Sequence, residues 1–365
     1  MTVSASDKKR GAWLATGSRR PFLYRKSAAL VLILLTFSLF GTSQDSEVEK
    51  LIRQGQAALE AGDFARAVEE LQKAESLAPN NLEVNRSLLL AYLQDGRLRD
   101  AETLGASAVS RWPQDPQLQH WLGLVYFKQG QNSKAVDSLR IAEKLDSGHA
   151  DIHFDLALAL LSQQEYAPAA GELEKAIRLD GSNPMAHVLL GRAYLNSNRT
   201  TGAIEQFQTA LKLDPNLPLG HYHLGFAYES LGRNREAISE YEKELTRSPE
   251  NPELLYQLGH CQLESGNWKD AVEKLQKAAA IDPANGDAAY DFGKALLLSG
   301  DNQGAIAPLE RASQLKPADP GPHYQLARAL EKIGQRDKAK TEWQRFAELK
   351  KAQPQSGGMA TGRAQ

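Results

Sequence analysis

Tyr222, Tyr256, Tyr290 and Tyr324 recur at one fixed interval, and four positions after them stand Phe226, His260, Lys294 and Arg328. Residues four apart on a helix share a face, so these eight side chains build one surface of rings, hydroxyls and cations. Tyrosine brings a ring and a hydroxyl at small rotamer cost, and lysine and arginine meet carboxylates. The chemistry is therefore non-covalent: an extended peptide or a partner helix laid along the surface. An alternative occupant is a polysaccharide or peptidoglycan strand stacked on the tyrosines, and a third role is to fill the space between neighbouring helices. Earlier in the chain the same two positions hold Ile52, Arg86, His120, Phe154 and Val188, then Gln56, Leu90, Leu124, Leu158 and Arg192. The surface thus changes from apolar to aromatic and cationic along its length.

Covalent and metal chemistry find little support. His153, His187, His221 and His323 stand whole multiples of the same interval apart. Neighbouring rungs at helix-pair spacing lie about 8–10 Å or more apart, too far for joint coordination at about 2 Å, so packing is their expected role. His221 and His223, two apart, point in different directions on a helix. No HExxH, Walker glycines, nucleotide fingerprint or nucleophile elbow occurs, and Asp151-Ile152-His153 has no nucleophilic partner in a recognisable arrangement. The sequence predicts no enzyme, no metal and no cofactor. Cys261 is the single cysteine, so no internal disulfide forms, and its place beside Gly259 and His260 predicts a buried small residue.

The elements that position the surface follow from one register. Ala67, Ala101, Ala135, Ala169, Ala203, Ala237, Ala271, Ala305 and Ala339 keep the interval without a slip. It is the period of about 34 residues at which a helix-turn-helix unit stacks on copies of itself. Within one period, Ala186, Leu189, Leu190, Ala193 and Tyr194 recur at helical spacing, and a polar break follows at 196–201. Ala203, Ile204, Phe207, Ala210 and Leu211 then form a second stripe. Each period is a pair of short amphipathic helices that cannot bury its apolar face alone and so packs on its neighbours. Gly62, Gly232, Gly266 and Gly300 mark turns that need positive φ, while Asp214-Pro215 and Asp282-Pro283 stop one helix and cap the next.

This pattern resembles the tetratricopeptide repeat family over nearly everything after residue 47, as nine repeats running 48–81, 82–115, 116–149, 150–183, 184–217, 218–251, 252–285, 286–319 and 320–353. The small residue of the first helix falls on Gly55, Gly123, Ala157, Gly191, Gly225, Gly259, Gly293 and Ala327, with Leu89 departing. Tyr92, Tyr126, Tyr194 and Tyr228 follow three residues later, and Pro79, Pro113, Pro215, Pro249, Pro283 and Pro317 open the turn to the next repeat. The resemblance implies an all-α fold, a right-handed superhelical solenoid of tandem helix-turn-helix repeats. It also implies a non-catalytic scaffold that holds a protein or peptide in a concave groove lined by the first helices. Relatives that clamp the acidic tail of cytosolic chaperones use a lysine and paired asparagines; here Tyr222 with Phe226, or Tyr256 with His260, replaces the start of that clamp.

With 43 basic and 45 acidic residues the formal net charge is −2, and no basic stripe interleaved with aromatics argues for nucleic acid. A different segment precedes the repeats. Residues 1–27 carry Lys8, Lys9, Arg10, Arg19, Arg20, Arg25 and Lys26 against Asp7 alone, and 28–40 are an uncharged, largely apolar run. This is the layout of an export signal, read as cleaved after Ser43 or retained as a membrane anchor through 28–40. Ser18-Arg19-Arg20-Pro21-Phe22-Leu23 also looks like a twin-arginine signal. Either route predicts a bacterial envelope protein in the periplasm or on the extracytoplasmic face of the inner membrane, with 1–43 as leader. Residues 354–365 lack any apolar period and are expected to form a disordered tail.

Overall fold

Every polypeptide segment between residues 45 and 352 is shaped by the same two instructions, an apolar stripe at helical spacing and a capped break. The computed structural model describes the backbone of residues 28–352 and the side chains of 45–352. Odd-numbered helices are the first of each pair: α1 (Ala28–Ala61), α3 (Leu82–Asp95), α5 (Pro116–Lys128), α7 (Ala150–Ser162), α9 (Pro184–Asn196), α11 (Gly220–Ser230), α13 (Pro252–Glu264), α15 (Gly286–Ser299) and α17 (Pro320–Lys332). Even-numbered helices are the second: α2 (Phe64–Leu77), α4 (Leu98–Arg111), α6 (Asn132–Leu145), α8 (Tyr166–Leu179), α10 (Thr200–Leu213), α12 (Asn234–Leu245), α14 (Trp268–Ile281), α16 (Ile306–Leu315) and α18 (Arg336–Ala352). No strand occurs among the described residues, and the architecture is an all-α solenoid of helix pairs.

Caps explain the starts. Asp115, Asn183, Asn251 and Asp319 accept backbone N–H groups of the turn they precede, and Pro116, Pro184, Pro252 and Pro320 occupy the first helical position, where a missing donor costs nothing. Within a pair the glycine of the first helix allows close contact: a Cβ on Gly225 would lie 2.7 Å from the Tyr241 ring, and one on Gly259 2.6 Å from the Leu275 side chain. The register alanines Ala237 and Ala271 sit fully buried at the same crossings.

Contacts group the described chain into two compact units, one ending at Ala91 and one beginning at Tyr92. In the first, Val48, Leu51 and Ile52 of α1, Ala74 of α2 and Val84 of α3 form the core. In the second, consecutive helices from α4 to α18 pack on one another, and successive first helices also touch (α5 with α7, α9 with α11, α13 with α15, α15 with α17). One apolar cluster runs unbroken from Ala135 to Cys261, as expected when each repeat buries its stripe on the next.

Two features depart from expectation. The apolar run 28–40 and the first helix of repeat 1 form one continuous helix, α1. Its apolar part ends at Phe40, after which Gly41, Thr42, Ser43, Gln44 and Asp45 continue the helix. A helical run of that length rises only about 20 Å against a hydrocarbon core of about 30 Å, and no helix among the described residues is long and apolar enough to cross a membrane. This overturns the membrane anchor through 28–40. The basic stretch 1–27 and the tail 354–365 lie outside the described residues.

The second departure is in repeat 6. The register that holds Ala74, Ala108, Ala142, Ala176, Ala210, Ala278 and Ala312 carries Glu244 instead. Glu244 is 2% exposed, and its carboxylate accepts the N–H groups of Leu219 and His221, each at 3.2 Å. It caps the start of α11, whose N-cap residue Leu219 adopts left-handed backbone (φ 59°) without a side-chain cap of its own.

Candidate functional site

The eight predicted side chains lie pairwise on α11 (Tyr222, Phe226), α13 (Tyr256, His260), α15 (Tyr290, Lys294) and α17 (Tyr324, Arg328). Phe226 and Tyr324 are exposed, 40% and 37%; the other six are half-buried. Tyr222 packs on the large core cluster, its ring 5.9 Å from that of Tyr241 and 5.7 Å from that of His223. Tyr256 packs on two smaller clusters and lies 5.9 Å from the His260 ring. Tyr290 leans over the backbone of the next first helix, where a Cβ on Gly321 would lie 3.5 Å from its ring. Tyr324 meets Trp343 edge-on at 5.3 Å and Phe346 at 5.4 Å, both on α18. The tyrosines therefore share one register and one wall, but each ring contacts its own repeat or the next helix, and among the described residues no ring contact joins one of the four to another.

Electrostatics change the reading of the cations. His260 Nδ1 lies 2.7 Å from the Asp291 carboxylate of the following first helix, which holds the imidazole above its ordinary pKa against the opposing effect of burial. Lys294 donates to Glu264 at 2.8 Å. Burial pulls the Lys294 ammonium down, but Glu264, with Asp291 and Tyr290 behind it, wins and the net shift is upward. Lys294 in turn holds the Glu264 carboxyl below its ordinary value. Arg328 donates to Gln325 at 3.1 Å and sits 5.7 Å from the Tyr324 ring centre. Two of the expected cations are thus already matched by carboxylates of the same wall.

The residues that sequence reasoning missed are those carboxylates. Glu229 accepts from the Tyr241 hydroxyl at 2.6 Å, and Glu253 from Gln257 at 2.9 Å. Burial pushes the Tyr222 phenol up, and Glu253 and Glu229 push it further. Burial also raises Tyr256, with Asp291, Asp287, Glu229 and Glu253 adding to it. The signal was available: Glu253 and Asp287 each stand one helical turn before a wall tyrosine, on its face. His223, beside Tyr222, stacks on Phe207 at 5.5 Å, and burial, helped by Arg192, brings it down to about 4.

The packing histidines act as clasps within their own pairs. His153, His221 and His323 place Nδ1 at 2.6–2.7 Å from Glu172, Glu240 and Glu342, and His187 at 2.8 Å from Gln206, the partner in each case lying on the second helix of the pair. Glu143, His153 and Glu172 bring ligand-type atoms within 4.8 Å of one another. Lys175 already bridges the two carboxylates at 2.7 and 2.9 Å, so an ammonium supplies the positive charge that a metal would bring. Cys261 is buried, and burial with the nearby Glu229 raises its thiol, leaving an unreactive side chain. The described residues assemble no nucleophile with a base and an oriented third group.

Family models described as the tetratricopeptide repeat match residues 52–116, 122–184, 222–286, 256–320 and 296–356, and one described as the TPR repeat matches 191–232. No curated protein matches the chain by sequence. Among solved structures, the C-terminal part of a TPR repeat-containing protein from Cytophaga hutchinsonii is 19% identical with a TM-score of 0.52, covering 66% of this chain and 98% of that one. A tetratricopeptide repeat protein from Parabacteroides merdae is 18% identical with a TM-score of 0.47, covering 69% and 99%. A chain of the APC/C hetero-tetramer Cut9–Hcn1 is 18% identical with a TM-score of 0.47, covering 73% of this chain and 52% of its own length, so the chain spans about half of that relative. At such identities the likeness is one of fold.

Proposed function

The chain belongs to the tetratricopeptide repeat family, and from that premise we propose that it is a non-catalytic scaffold whose first-helix wall in repeats 6–9 holds a peptide or protein partner. The observation that carries this reading is the exposure of Phe226 and Tyr324 on α11 and α17, aromatic side chains that burial against the protein's own core would otherwise claim. Half-buried tyrosines between them supply hydroxyls and ring edges, and matched carboxylate–cation pairs supply hydrogen-bonding rims. A sugar polymer needs a run of open rings to stack on, whereas Tyr222, Tyr256 and Tyr290 are half-buried against the core, which favours the peptide over the polysaccharide.

Capture from crosslinked cells with the full-length protein tests this, read as co-purified proteins and glycans and compared with F226A/Y324A. Both substitutions are at exposed side chains. A protein partner lost in the variant supports the scaffold; glycan enrichment without a protein partner contradicts it.

We further propose that the repeats work in the periplasm of a bacterium. The basic stretch 1–27, the apolar run 28–40 and the small residues Gly41 and Ser43 support export with cleavage after Ser43. A mature protein beginning at Gln44 is the expected result of N-terminal sequencing from the native host; an intact N-terminus contradicts it.

A further inference from the structure

The wall is not uniform, and its least compensated stretch lies in repeats 6 and 7. Two of its carboxylates, Glu229 and Glu253, accept hydrogen bonds from neutral donors, the Tyr241 hydroxyl and the Cys261 thiol for Glu229 and the Gln257 amide for Glu253, and neither forms an ion pair among the described residues. The cations of the wall have carboxylate partners of their own: His260 pairs with Asp291, with Glu229 also acting on it, and Lys294 pairs with Glu264. On the repeat-5 side the Arg192 charge acts on His223. Tyr222 and Tyr256 feel this imbalance directly, because beyond burial the charged groups acting on either phenol are all carboxylates.

Apolar surface accompanies the charge. Phe226 is exposed, and Leu219, the N-cap residue of the same helix, is 43% exposed. Leu219 stands there in a backbone conformation that a leucine disfavours, secured by the buried carboxylate of Glu244, which replaces the register alanine of seven other repeats. The local fold departs from its own repeat in a way that leaves a large apolar side chain in water at the start of the helix that carries Phe226.

We infer that this stretch recognises a basic side chain of the partner, a lysine or arginine within an otherwise apolar extended segment, seated against Tyr222, Phe226 and Tyr256 and met by Glu229 and Glu253. The inference rests on the peptide-holding reading above and adds the chemistry of what is held. The face of the exposed Phe226 ring attracts a cation through its quadrupole, the Tyr222 and Tyr256 hydroxyls offer it acceptors, and a carboxylate whose charge is not yet matched completes a charge-assisted hydrogen bond. Leu219 and Phe226 take the apolar neighbours of the basic residue. An acidic segment would meet like charge here, the opposite of the chaperone-tail clamp.

Fluorescence anisotropy with the full-length protein decides it, using three labelled peptides that share a Leu-X-Leu-X-Leu centre and Gly-Ser flanks, with X lysine, serine or glutamate. The lysine peptide should bind about tenfold tighter than the serine peptide at low salt, the size expected of one cation–aromatic–carboxylate contact. E253K, at an exposed side chain, should abolish most of that preference. E310K on α16, which changes net charge equally, should leave it intact. E229Q, which keeps an acceptor for Tyr241, should reduce it. Equal losses from E253K and E310K, or a lysine peptide no tighter than the serine one, overturn the inference. If the serine peptide binds as well as the lysine peptide, the peptide-holding wall survives and only its charge preference falls; if none of the three is held, both fall.

Discussion

His223 shows how one residue's environment turns into a measurable property. Its imidazole is stacked on Phe207 and brought down to about 4 from the ordinary 6.5. Between those values the unfolded chain binds a proton that the folded chain refuses, so the stability His223 permits is whole above about pH 6.5 and is lost as pH falls toward 4. H223F, which keeps the stack and removes the titration, should flatten the fall in melting temperature over that window by circular dichroism; parallel profiles for variant and parent would contradict the account. His260 has the opposite sign. Asp291 raises its pKa, so its contribution is whole below the unfolded value and fades as pH rises through the folded one. D291N should therefore remove a decline on the neutral side and move the His260 titration, followed by NMR, to lower pH. The sequence located both histidines but not these environments, because the partner of each lies on another helix: Phe207 on α10 for His223, and Asp291 on α15 for His260.

At the level of the element, the helix pairs were legible because a glycine, an alanine and a capped break recur at fixed places. G225A should cost about 1–3 kcal/mol by forcing a methyl into the Tyr241 ring, since the added Cβ would lie 2.7 Å from it; an unchanged melting temperature would mean that the crossing is looser than described. Repeat 6 is where the register misleads. Alanine is the residue of seven repeats at the place of Glu244, so E244A looks like a repair. The structure predicts the reverse, a loss of about 1–2 kcal/mol, because the N–H groups of Leu219 and His221 would lose their acceptor. Stabilisation by E244A in chemical denaturation would refute that capping role. The membrane anchor failed for a reason of length that the sequence already contained: the apolar run stops at Phe40 while the helix goes on in polar sequence.

For the molecule as a whole, nine unbroken periods made the fold readable in the sequence, since each repeat is stabilised by its neighbours and the same side chains solve the same packing problem each time. The candidate wall was legible as a register and illegible as a charge distribution. A list of positions showed His260 and Lys294 as available cations; only the packing of α13 on α15 brings Asp291 and Glu264 to them and leaves Glu229 and Glu253 with neutral donors. The claim most in need of a test is that partners dock on the first helices. A photoreactive benzoylphenylalanine placed at Phe226 on α11, and in a second protein at the equally exposed Trp268 on the second helix α14, tests it with little risk to the fold. The account predicts discrete protein adducts from position 226 in the native host and none of the same mass from position 268. Adducts from 268 with none from 226 would place the partner on the other helices and contradict it.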